Sequence, residues 1–171
     1  MRVLLISLAP VHRTYGCGNT FLNVMEHLDG VELTSICARA GATDARVSRA
    51  FSITERILLK NLLTGSPAGL CSYPAEGNDT LSAAPSEAKL QRFAHHHRWT
   101  VLFWARDLLW RISRWKSPEL REFIEDFQPD VIFTYLSGAP HVNRLTLHAA
   151  KLSSRPSMLL RKFTLIYIRL I

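Results

Sequence analysis

The chain has 171 residues, of which 47% are hydrophobic, 20% charged and 9% aromatic, enough apolar material for one buried core and too much for wholesale disorder or a disulfide-stapled miniature. Eight Gly and eight Pro exclude collagen-like and low-complexity chains, and no uninterrupted apolar run reaches the ~18 residues a membrane-crossing helix needs. The net charge of +7 is uneven: residues 1–80 hold seven Lys/Arg against seven Asp/Glu, and residues 81–171 fourteen against seven, a field that favours anionic partners without choosing among phosphates, lipids and nucleic acid.

The continuous apolar run Val3-Leu4-Leu5-Ile6 predicts a strand over residues 2–8, buried on both faces. It is too short for a signal peptide, and Pro10 ends it. Gly16 and Gly18 mark a loop over residues 15–20. Phe21, Leu22, Val24, Met25 and Leu28 then recur at helical spacing up to Asp29-Gly30. A second strand over residues 31–38 completes a βαβ pattern. Residues 39–50 read as a polar connection, and Ile53, Ile57, Leu58, Leu62 and Leu63 as a short helix ending near Gly65. Residues 64–86, with Pro67, Gly69, Pro74, Gly77 and Pro85, read as a long surface excursion.

Helical patterning resumes from Glu87. Ser117-Pro118-Glu119 is a fresh helix start, with a capping Ser, Pro at the first helical position and acid in the first turn. That helix runs to about Phe127, and Val131-Ile132-Phe133-Thr134-Tyr135-Leu136 is the third buried strand. Ser137-Gly138-Ala139-Pro140 then turns into a helix carrying Val142, Leu145, Leu147 and Leu152. The predicted class is α/β: an open parallel-sheet, Rossmann-like, three-layer domain in which the first three strands lie in the order 2-1-3.

Ligands of such sheets sit outside the carboxyl ends of the strands where the order reverses, so two loops are candidates. Tyr15, Gly16, Gly18 and Asn19 present glycines and free amides at a helix start, which suits a phosphate or carboxylate. A tight turn without ligand is the alternative, since the loop completes neither the dinucleotide fingerprint nor the P-loop. Ser137, Gly138 and His141 form the matching loop, with His141 as a hydrogen-bonding group or base, or as a structural histidine. His148 is ~10 Å along the same helix, too far to share a metal with His141. Consecutive His95-His96-His97 cannot converge on one ion. No metal site and no catalytic residue is assigned.

All four tryptophans fall within residues 99–115. On a helix Trp104, Leu108, Val101, Ile112 and Trp115 share an arc of about 80°, while Trp99, Phe103 and Trp110 share about 40° beside Arg106 and Arg114. The first stripe is expected in the core. The second suits an anionic membrane surface, with rings at headgroup depth and guanidinium groups on phosphates. Burial of both stripes is the alternative. Cys17, Cys37 and Cys71 contain no CxxC pair and an odd thiol, which predicts a reduced, cytoplasmic chain, peripheral on the inner membrane face if that stripe binds lipid. No nucleic-acid reader motif is present, and no nucleic-acid partner is expected.

With the first strand, the helix start Gly16-Cys17-Gly18-Asn19, and Gln128-Pro129-Asp130-Val131-Ile132-Phe133-Thr134 leading into Ser137-Gly138, residues 1–156 resemble the amino-terminal half of a GT-B glycosyltransferase, most nearly the family-4-like subgroup. The resemblance implies two facing Rossmann-like domains. This half would hold a glycan or lipid-linked acceptor, its glycine loop approaching the diphosphate of a nucleotide-sugar donor, with no obligatory bound metal or cofactor. The acidic donor-binding motif of the other half has no counterpart in these residues, so this half is expected to be inactive alone and completed by a donor-binding chain. Residues 157–171 depart from the family pattern as a basic, apolar tail of the kind a truncation or frame change leaves, although residues 163–168 have strand composition. The alternative to an enzyme half is a non-enzymatic, peripheral membrane-binding module.

Overall fold

A strand without a polar side has to be covered on both faces. The computed structural model, which describes residues 1–73, 100–135, 139–153, 157–161 and 164–168, covers Val3-Leu4-Leu5-Ile6 in that way. In chain order the elements are β1 (Arg2–Ser7), α1 (Gly16–Glu26), β2 (Glu32–Cys37), β3 (Val47–Ser52), α2 (Glu55–Thr64), β4 (Leu70–Ser72), α3 (Thr100–Ile112), α4 (Pro118–Phe127), β5 (Val131–Tyr135), α5 (Pro140–Ser153), β6 (Ser157–Arg161) and β7 (Thr164–Ile168). The strands form one seven-stranded sheet in the order β4-β3-β2-β1-β5-β6-β7. The five central strands run parallel, and β4 and β7 each add an antiparallel edge. This is an α/β architecture compatible with a Rossmann-like arrangement.

Alternation along β1 divides the core. Val3 and Leu5 meet Phe21, Leu22 and Met25 of α1 on one face. Leu4 and Ile6 meet Leu58 of α2, Trp110 of α3, Phe123 and Ile124 of α4, and Val142 and Leu145 of α5 on the other. The handedness of crossovers explains the split. β1 to β2 and β5 to β6 step in opposite directions along the sheet, so two right-handed connections put α1 and α5 on opposite faces.

Local chemistry sets the helix ends. The Thr54 hydroxyl accepts from the Ile57 amide to start α2, and Gly65, at φ 67°, ends it in the left-handed conformation. Ser117 accepts from the Leu120 amide at the start of α4, with Pro118 and Glu119 following as the sequence predicts; Gln128, at φ 48°, closes that helix. At the opposite edge of the sheet from the loops of interest, the Asp130 carboxylate accepts from the Arg2 amide, and the Asp130 amide donates to the Arg2 carbonyl.

Four expectations change. Residues 16–20, expected in a loop, form the first turns of α1, with Tyr15 as its N-cap. Residues 47–52 form β3 rather than part of a polar connection. Its pairing with β2 slips between Leu33 and Thr34, whose partners are Val47 and Arg49, so Ser48 is an extra residue that breaks the alternation a strand is recognised by. The excursion over residues 64–86 contributes a short strand, β4, within its described part. The apolar tail joins the sheet as the hairpin β6–β7, with β6 parallel to β5 and β7 over Thr164–Ile168, where the residues have strand composition. The helical pattern expected from Glu87 is described from Thr100 onward; His95, His96, His97 and Trp99 lie outside the described residues.

Candidate functional site at the carboxyl edge of the sheet

Parallel β1 and β5 end side by side, Ile6 opposite Thr134, and each is followed by a loop that opens a helix. From β1 the chain turns through residues 8–15 into α1. Gly18, in the first turn of α1, is buried, and a Cβ placed on it would lie 2.5 Å from both the amide nitrogen and the carbonyl oxygen of His12. The helix therefore rests directly on the loop backbone, which fixes where its amino end points. Gly16, one residue inside the helix, is exposed and faces open space. Asn19 is also exposed, and the Tyr15 hydroxyl reaches across to Gly41 beyond β2.

Tyr15 stands at the N-cap without a side-chain cap, and the first turn of α1 carries no acid. The Thr54 and Ser117 hydroxyls occupy this role on α2 and α4. The amino end of α1 thus keeps its donors and the positive end of its dipole for something other than a side-chain cap. Arg13 adds a guanidinium beside the loop, 3.7 Å from Glu26 and 3.9 Å from Asp44. The Nδ1 of His12 accepts from the Thr14 amide, which leaves Nε2 to carry the proton in the neutral ring.

No protein-family model, curated protein or solved structure matches this chain. What the site does rests on its own geometry.

The second loop is described only at its helical end. Ser137 and Gly138 lie outside the described residues. His141 is buried, its ring stacked on Trp110 at 4.7 Å and 25°, with Nε2 lacking a hydrogen-bond partner among the described residues. Burial, followed by the nearby Arg106 guanidinium, pushes its pKa down to about 4, so the imidazole is neutral at pH 7. His141 belongs to the core between α3 and α5, not to the rim that Tyr15, Gly16 and Asn19 form. Trp115 continues the aromatic stack, 6.3 Å from Trp110 and edge-on to His148 at 5.3 Å. The separation of His141 from His148 that excludes a shared metal is the same separation that sets both rings against the two indoles.

The tryptophan helix is likewise turned from its expected setting. Trp110, expected at a lipid interface, is 1% exposed, whereas Trp104, Leu108 and Ile112, expected in the core, face outward, Trp104 by 71%. Phe103 and Arg114 are exposed as expected, Arg106 is half-buried with its guanidinium over the Phe103 ring, and Trp99 lies outside the described residues. Both stripes are apolar, so periodicity alone could not say which turns inward. The aromatic partners on α5 decide it. Among the described residues no group of His, Cys, Asp and Glu is arranged to hold a metal ion, and no helix is long and apolar enough to cross a membrane.

Proposed function

We propose that this chain is the acceptor-side half of a cytoplasmic glycosyltransferase, and that the amino end of α1 takes the diphosphate of a nucleotide-sugar donor while a glycan or lipid-linked acceptor occupies the crevice beside it. The observation that carries the reading is the uncapped, acid-free amino end of α1, standing where strand order reverses between β1 and β5. Sugar transfer breaks the bond between the anomeric carbon and the leaving diphosphate oxygen, so negative charge grows on that diphosphate. Amides and a helix dipole aimed there stabilise the charge as it develops. Gly16, open to solvent, lets a phosphate approach the backbone without meeting a side chain. A donor-binding domain would supply the nucleoside contacts.

Amide chemical shifts recorded while inorganic pyrophosphate, and then a panel of nucleoside diphosphates, is added provide the test. The reading expects Gly16, Cys17 and Gly18 to move, and expects Gly16→Val to abolish the response with the fold intact. If none of these anions moves those amides, the amino end of α1 binds no phosphate and the proposal fails.

A further inference from the structure

The outward stripe of α3 does not end in neutral surroundings. Trp104, Leu108 and Ile112 lie on one helix face at successive four-residue steps, and exposed Arg111 borders that arc, about 20° beyond Trp104. Arg111 also lines an open groove of about 630 Å³ at the carboxyl end of the helix, together with Arg114, Lys116, Arg144 and the rings of Trp110 and Trp115. The nearby carboxylate, Asp107, is engaged by Arg111 at 3.1 Å and Arg144 at 3.4 Å. Arg114 and Lys116 have no carboxylate within 4.0 Å among the described residues. Two of the lining residues, Trp110 and Ser113, are themselves buried, and their indole nitrogen and hydroxyl lack hydrogen-bond partners among the described residues. Alongside α3, helix α2 turns Leu59, Leu62 and Leu63 outward, next to exposed Arg56 and Lys60.

We propose that this face docks on an anionic phospholipid surface, with headgroup phosphates taken by the groove cations and Trp104, Leu108 and Ile112 entering the boundary between headgroups and acyl chains. Charge complementarity selects this occupant. A ridge of aliphatic and indole side chains bordered by Arg114 and Lys116, two exposed cations without a carboxylate partner among the described residues, matches an interface that is apolar inside and negative outside. The assignment stands independently of sugar transfer and uses no residue of the α1 loop.

The test is co-sedimentation of the full chain with vesicles of phosphatidylcholine alone and with an equal mixture of phosphatidylcholine and phosphatidylglycerol. Binding is expected to the mixture only, and should weaken as salt rises. Trp104→Ser with Leu108→Ser should cut partitioning at least about tenfold with an unchanged thermal midpoint, because both side chains are exposed. Arg114→Gln and Lys116→Gln should each cost about fivefold. Three results overturn the proposal: no binding to the anionic mixture; binding that millimolar inorganic phosphate abolishes and the Trp104→Ser, Leu108→Ser pair leaves intact, which marks a soluble-anion site; and a dimer in sedimentation equilibrium that the same pair converts to monomer, which marks an interface between copies. Retention of vesicle binding by Gly16→Val separates this surface from the diphosphate site.

Discussion

Gly16 and Gly18 are two residues apart and differ in what a side chain would meet, so they separate packing from ligand binding. A Cβ at Gly18 collides with backbone that cannot turn aside, and Gly18→Val should lower unfolding free energy by about 2 kcal/mol or more in a denaturant titration. Gly16→Val adds a side chain to open space and should stay within about 0.5 kcal/mol of the parent, losing only the anion response. His141 makes a second residue-scale prediction. Its folded pKa is about 4 against an ordinary 6.5, so between these values the unfolded chain binds more protons, and stability falls as pH is lowered from 6.5 towards 4. The loss is on the order of 2–3 kcal/mol, and it should vanish from the pH profile of His141→Phe relative to wild type, measured by chemical denaturation. A parallel profile for the variant would mean that the imidazole titrates as freely in the fold as out of it.

For the elements, α3 is the instructive case, because its two indoles differ so completely in setting. Trp110 packs between His141 and Trp115, and Trp110→Ala should cost about 3–5 kcal/mol. Trp104→Ala should cost less than about 0.5 kcal/mol, since little of its ring touches the protein. Equal losses from both substitutions would place the Trp104 stripe in the core and remove the proposed docking face. Periodicity marks α3 as having two apolar stripes, and the physics of one helix contains nothing further to order them. The missing information sits about forty residues away, in the imidazoles of α5.

At the scale of the whole molecule the parallel centre should be the last part to open. β1 is hydrogen-bonded on both sides and packed on both faces, while α2 buries only Leu58 fully. Amide exchange should therefore be slowest in β1, β2 and β5 and faster in α2, as measured by native-state hydrogen exchange. The reverse order would mean that the sheet is not the cooperative unit. The same scale explains where the candidate site stands: the pairing of β1 with β5 sets side by side the ends of two strands more than a hundred residues apart.

Features with a local cause were legible from the residues alone. The first strand, the glycine start of α1, the stop at Gly65, the capped start of α4, the strand from Val131 and the 2-1-3 order followed from apolar runs, turn residues, caps and the handedness of crossovers, all of which act over a few residues or through general topology. Tertiary structure decided what depends on a distant partner. The slip beside Ser48 is defined only against β2, and the β6–β7 hairpin takes its place by extending the sheet from β5. The burial of His141 and Trp110 is set by each other, and the outward turn of Trp104 follows once Trp110 has taken the inner position. A residue's neighbours in sequence fix its backbone preference; which of two equally apolar faces is buried is a property of the packing between elements, and one helix read by itself does not contain it.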